Sequence, residues 1–255
     1  PQMADASELF SKLPQNLDVS FEALVPNEKG YERAVAAGAK TVALVLASTE
    51  TMNQRNIGMS LETATQVNIS VIKRAKNEGI KPRSYISTAV GCPFEGNVEP
   101  DVIYDLTALM FDAGAEEVAI ADTIGSGHPA QVKCIFETLA GRHGSERLAA
   151  HFHDTRGLAL ANTWAALECG IRKFDTSIGG LGGCPFAPGA TGNVATEDVV
   201  FLLENSGYQT GIEIKKLRKA IDIASQYTSQ KLGGRILTWI ESQEKRKIQE
   251  TVSVA

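Results

Sequence analysis

Six short apolar runs recur along this chain, each followed by a polar loop and a helix-patterned segment, and no other feature limits the possible folds as strongly. The runs lie at about residues 18–24, 41–46, 83–88, 117–121, 148–153 and 174–178, and the helical patterns between them at about 29–37, 60–78, 101–113, 129–140 and 158–168. Gly38, Gly79, Gly114, Gly170 and Gly207 stand where a helix C-terminal glycine is expected, and Pro100 suits a first helical turn. Strands alternating with helices of this length predict parallel βαβ units. Nearly continuous apolar strands predict a sheet covered on its faces. A short helix at about 6–13 precedes the repeats, and two more, at about 214–230 and 235–250, follow them. The last carries the mixed-sign run Glu241 to Lys247, the pattern of a solvated face. The expected division is therefore a catalytic unit over 1–234 and a charged helix and tail over 235–255.

With 255 residues, 43% of them apolar, the chain can bury one large core. A net charge of −5 and a pI near 5.5 give no electrostatic reason to expect nucleic acid or an anionic membrane as partner. No apolar run approaches the roughly 20 residues of a membrane-spanning helix. The cysteines, Cys92, Cys134, Cys169 and Cys184, include no C-x-x-C pair, which fits free thiols in a reducing compartment. The expected location is the cytoplasm, with an organelle matrix as the alternative if a leader precedes Pro1.

Chemistry-bearing residues concentrate between His151 and Asn193. His151-Phe152-His153-Asp154 reads as a strand end, where residues two apart share a face. Two imidazoles aimed at one point can hold a divalent cation; the alternative is a pair of hydrogen-bonded core histidines. The following loop, 179–193, is rich in glycine, carries one thiol at Cys184, and closes on the carboxamide of Asn193. Its length in a compact domain suits a lid or binding loop, and its prolines restrict its freedom. Cys184 reads otherwise as a small buried hydrophobe.

These residues resemble a known family. The run His151 to Asn162, the run Gly179 to Asp198, and the motifs Gly91-Cys92-Pro93-Phe94-Glu95-Gly96 and Asp122-Thr123-Ile124-Gly125 are similar to those of 3-hydroxy-3-methylglutaryl-CoA lyase. Pro1 to Asp5 matches too, and the likeness fades only after about Gly233. It implies an α/β fold of the TIM (β/α)8-barrel type, of which about six of the eight strand–helix units are visible. It also implies about fifty further residues before the position of Pro1, with an Arg-Asp pair in which the Asp ligates metal and the Arg polarises the substrate carbonyl. An N-terminally incomplete sequence is therefore expected.

The implied reaction is retro-Claisen cleavage of 3-hydroxy-3-methylglutaryl-CoA to acetyl-CoA and acetoacetate, with Mg²⁺ or Mn²⁺ as Lewis acid. By the same resemblance His151, His153 and Asn193 are metal ligands. His151 is also a candidate for moving protons, Cys184 protonates or shields the acetyl-CoA enolate, and Asp122 assists. The partners expected are an acyl-CoA substrate and further copies of the chain in a homodimer or larger homo-oligomer, with no nucleic acid and no membrane. Three alternatives stay open: a Claisen-type synthase or aldolase of the same superfamily, a lyase for a longer 3-hydroxyglutaryl-CoA, and a non-catalytic CoA-thioester-binding derivative. The synthases carry Gly-Glu-Arg-Ala-Gly-Asn where this chain has Cys184 to Asn193, which favours the lyase.

Other candidates are weaker. Cys92 repeats the Gly-Cys-Pro-Phe of the later loop, so the two loops are expected at one barrel face, covering a substrate or forming similar turns. Asp122 can contact a ligand, orient a metal-binding histidine or cap the turn that follows it. Asn53, Arg55 and Asn56 are placed to meet a polar ligand tail, and His128 and His143 read as surface histidines.

Overall fold

In the computed structural model, which describes residues 4–14, 17–183, 192–229 and 231–253, the alternation becomes six parallel strands in sequence order. They are β1 (Glu22–Leu24), β2 (Thr41–Ala47), β3 (Lys81–Ser87), β4 (Glu117–Asp122), β5 (Leu148–Phe152) and β6 (Phe174–Asp175). The helices are α1 (Ala6–Ser11), α2 (Glu28–Ala36), α3 (Glu50–Ile57), α4 (Leu61–Asn77), α5 (Pro100–Ala113), α6 (Pro129–His143), α7 (Ala159–Glu168), α8 (Thr196–Asn205), α9 (Ile214–Thr228) and α10 (Arg235–Ser253).

Period-two alternation sorts each strand. Val42, Leu44 and Leu46 of β2, Val118 and Ile120 of β4, and Leu148, Ala150 and Phe152 of β5 face the helices and lie in one buried core with Val71 and Ile72 of α4, Met110 of α5 and Ile135 and Phe136 of α6. The alternate residues, among them Ala43, Val45, Tyr85, Ala121 and His151, line the other face. That second face is concave. Arg83, on β3, reaches Glu22 of β1 (3.3 Å), Glu117 of β4 (2.6 Å) and Asp175 of β6 (2.7 Å). A flat sheet would hold β3 and β6 about 14 Å apart, three interstrand spacings of ~4.8 Å, so only strong curvature lets one guanidinium collect carboxylates from both outer strands. The result is a half-barrel, helices outside and polar side chains within.

The outer strands are shorter than the sequence patterns suggest. β1 starts at Glu22, not near Asp18, and pairs only along Thr41 to Ala43, so the residues before it have no partner strand. β6 ends at Asp175; Ser177 bridges to Ala195, and Ile178 enters a tight turn in which Gly179 has φ 62°. One helix, α3, has no counterpart in the sequence reading, and of a second, α8, only the stop at Gly207 was read. α3 is polar and lacks an apolar stripe, burying only Met52 and Asn53. α8 carries the β-branched run Val199-Val200, whose short apolar stretch does not distinguish strand from helix.

The capping signals agree with the structure. All five helix-stop glycines take positive φ, and Pro100 opens α5. α10 is fastened to the barrel: Asp198 on α8 accepts the amides of Arg235 and Ile236 (both 2.9 Å), capping its N-terminus. Trp239 of α10 packs on Phe201 of α8. No helix is long and apolar enough to cross a membrane, among the described residues.

Candidate active site

His151 and His153 converge, as their spacing predicts. Their rings lie 5.2 Å apart, centroid to centroid, on a cavity of about 440 Å³ at the C-terminal strand ends, the face on which barrels of this type carry their chemistry. Asn193 joins them from the far side of the glycine loop. His153 and Asn193 form an antiparallel bridge just beyond β5, and Val194 N–H donates to the Phe152 carbonyl (3.0 Å). The Asn193 amide nitrogen donates to the Leu181 carbonyl (2.9 Å), which leaves Oδ1 buried without a partner among the described residues. Gly182 makes room for this amide: its φ is +99°, and a Cβ there would sit 2.9 Å from Asn193 Nδ2.

His153 is nearly buried, and its Nδ1 lies 3.0 Å from the Asp122 carbonyl oxygen. An oxygen acceptor there calls for Nδ1–H, so the lone pair is on Nε2. Burial, then the neighbouring His151, push the His153 pKa below the ordinary range, against the opposing pull of that carbonyl. A neutral imidazole results, the form that ligates metal.

Asp122 orients His153 through its backbone, while its carboxylate fastens the turn after β4, accepting Ser126 N–H (3.0 Å) and Gly127 N–H (2.8 Å). Burial raises its pKa in spite of those amides. Of the roles open to it, capping the turn and orienting a histidine are the two seen. Gly125 in this turn has φ +59°, and a Cβ would meet the His153 carbonyl oxygen at 2.7 Å and Thr155 N at 2.9 Å. The β4 turn is therefore packed directly against the end of β5.

His151 has a different environment. Its Nδ1 faces Asp175 Oδ2 at 3.6 Å, longer than a hydrogen bond, and the edge of Tyr85 lies against the ring. Burial would raise the Asp175 pKa, but His151 and Arg83 outweigh it and hold the carboxyl below the usual range. Burial raises the Tyr85 pKa well above a free phenol's. Arg83, Tyr85 and Asp175 are site residues that sequence reasoning missed. The available signal was an ionisable residue at an inward position of an otherwise apolar strand, for which burial demands a partner.

The remaining candidates separate. Cys184 lies outside the described residues, but Gly183 lines the cavity, and Gly192 N–H donates to the Gly182 carbonyl (2.9 Å), so both ends of its segment are held here. Cys92 is buried, its sulfur accepting from Thr49 Oγ1 and Phe94 N–H, a turn-forming role. Asn56 lines the cavity beside Met52. Asn53 does not meet a ligand tail: its side chain bonds the backbone of Ala47 and Thr49, tying α3 to the end of β2. Arg55 stacks on Phe94. Exposed His128 caps α6 through Nδ1. His143 is half-buried against Phe111, and not simply at the surface.

The same ordered motifs recur in known proteins. The HMGL-like family model matches residues 11–223. The chain belongs to the hydroxymethylglutaryl-CoA lyase family. It is 43% identical over 215 residues to hydroxymethylglutaryl-CoA lyase of Pseudomonas mevalonii, covering 84% of this chain and 71% of that one. It is 42% identical over 217 residues to a 3-hydroxy-3-isohexenylglutaryl-CoA/hydroxymethylglutaryl-CoA lyase of Pseudomonas aeruginosa, 85% and 72% covered. Among solved structures, an HMG-CoA lyase from Acinetobacter baumannii in complex with coenzyme A and 3-methylmalate superposes with a TM-score of 0.89 at 34% identity, covering 93% of this chain and 78% of that one. Family members are thus carbon–carbon lyases, and one holds CoA on this fold. Among the described residues of this chain, no three His, Cys, Asp or Glu side chains stand close enough together to hold a metal.

Proposed function

We propose that this chain is a divalent-metal-dependent lyase that cleaves 3-hydroxy-3-methylglutaryl-CoA to acetyl-CoA and acetoacetate. The observation that carries the reading is the convergence of His151, His153 and the unpartnered Asn193 Oδ1 on one cavity. The donor set fits a hard divalent ion: two imidazoles and a neutral amide oxygen leave room for substrate oxygens, unlike the closed tetrahedral sites of structural zinc. Mg²⁺ or Mn²⁺ held by these three residues would supply Lewis-acid polarisation of the substrate's tertiary hydroxyl and carbonyl.

The protein's own part follows from where its groups stand. Leu24, Ala43, Val45 and Met52 give the cavity an apolar wall suited to the substrate's methyl-bearing carbon. His151, the more accessible imidazole, has one lone pair to offer the cavity, so it either holds the metal or takes the hydroxyl proton, not both at once. Cys184, assigned by sequence resemblance, returns a proton to the acetyl-CoA enolate carbon. Asp122 serves by positioning His153.

Assay of acetoacetate release from 3-hydroxy-3-methylglutaryl-CoA with Mg²⁺ tests the proposal. Turnover is expected, with His153→Ala and Asn193→Ala each lowering kcat/KM by at least about 10²-fold. A folded chain that binds the thioester but releases no product would make it a binding derivative. A second reading, a longer branched substrate, is favoured by the 42%-identical relative named for an isohexenyl substrate and by Leu24, exposed on the cavity wall. A higher kcat/KM for the longer thioester would establish it.

A further inference from the structure

Two buried polar atoms in the site lack a hydrogen-bond partner among the described residues yet face each other: His151 Nδ1 and Asp175 Oδ2, 3.6 Å apart. The other carboxylate oxygen of Asp175 is held by Arg83 Nη2 at 2.7 Å, and Arg83 is itself clamped by Glu117 and Glu22. β5 and β6 pair with His151 directly opposite Asp175, so backbone register fixes this encounter. The neighbouring imidazole has an analogous arrangement, His153 Nδ1 against the Asp122 carbonyl. Each histidine therefore has an oxygen acceptor at Nδ1, one from the main chain and one from a side chain.

We propose that Asp175, anchored by Arg83, is a positioning residue that holds His151 as the Nδ1–H tautomer with Nε2 turned into the cavity. A small ring rotation closes 3.6 Å to a hydrogen bond. The anchor matters because a carboxylate with one oxygen fixed by a guanidinium has one direction left for the other. Outer partners of this kind orient ligand imidazoles and increase their basicity. The tautomer assignment stands on this geometry alone; its consequence for metal rests on the site reading above.

The test uses the full chain and two variants. Asp175→Asn removes the charge and can present an N–H to His151, selecting the wrong tautomer. Glu117→Gln loosens the same Arg83 clamp without touching His151. Long-range ¹H–¹⁵N spectra of metal-free protein at about pH 8 should show His151 as Nδ1–H in wild type and E117Q, and mixed or Nε2–H in D175N. Mn²⁺ titration calorimetry should give a Kd weakened about 10- to 100-fold in D175N and within about twofold of wild type in E117Q. Wild-type His151 found as Nε2–H overturns the proposal even if D175N does not fold. So does an unchanged tautomer in D175N, or an equal loss of Mn²⁺ affinity in E117Q. Wild type that binds no Mn²⁺ but shows the expected tautomers sinks the metal-site reading and leaves the positioning role intact.

Discussion

Single residues here act through the partners that the fold gives them, and Tyr31 shows how far from the site this extends. Its ring is wholly buried, and its hydroxyl donates to Glu78 at 2.6 Å. Burial first, then the Glu78 carboxylate, push its pKa up to about 12, above the ~10 of a free phenol. The folded state thus keeps the proton more firmly than the unfolded one. The resulting stabilisation is fully present below about pH 10 and is lost as pH rises toward 12. Tyr31→Phe should cost about 1–2 kcal/mol at pH 8, with the gap to wild type narrowing between pH 10 and 12. Thermal melts of both proteins across that range check this; a constant gap would contradict it. Nothing in the sequence marks Tyr31, because its partner lies 47 positions away.

At the scale of elements, the active site is a junction between the turn after β4 and the end of β5. The turn carries the Asp122-Thr123-Ile124-Gly125 motif, visible in sequence as a strand-end acid followed by a glycine. Sequence placed the acid at the site but left its role open, since a carboxylate at a strand end can serve ligand or backbone equally well. Tertiary packing decides it, through the amides of Ser126 and Gly127 and the ring of His153. Gly125→Ala combines a positive φ with a Cβ 2.7 Å from a backbone oxygen of His153, an obstruction that no side chain can relieve by rotating. It should destabilise the protein by about 1–3 kcal/mol and weaken Mn²⁺ binding at least about tenfold by displacing His153. Urea unfolding and calorimetry separate the two effects; normal Mn²⁺ affinity in the variant would show the junction to be more compliant than its geometry indicates.

For the molecule as a whole, curvature is the decisive property, and Arg83 reports it. It is a nearly buried cation joining β1, β3, β4 and β6. Its removal as Arg83→Met leaves the buried Asp175 carboxylate without its guanidinium partner, while Glu117 keeps its pairing with Lys173. Breaking a buried ion network from one side costs about 3–5 kcal/mol, and denaturant unfolding should show a loss of that size. A loss below about 1 kcal/mol would mean that the helix-side core alone sets the curvature. α10 belongs to the same body, since Asp198 caps it and Trp239 packs on Phe201. Its charged sequence reads as a solvated helix and gives no sign of this attachment, because the anchor is a side chain 37 residues upstream.

The alternation of strands and helices, the helix stops, and the shared face of His151 and His153 are properties of local periodicity, and sequence alone determined them: a period of two sets strand faces, and a glycine at positive φ ends a helix wherever the chain goes. Short-range patterns also marked the Gly179 to Asn193 loop and its terminal amide. They did not identify Arg83, Tyr85 and Asp175 as one group, the turn-fastening use of the Asp122 and Asp198 carboxylates, the helix α3, or the body of α8 ahead of its stop at Gly207. The physical reason is common to these cases. A charged or polar side chain inside a barrel takes its meaning from partners on other strands, and which strands meet is fixed by the register and curvature of the sheet, which exist only once the chain has closed around its core.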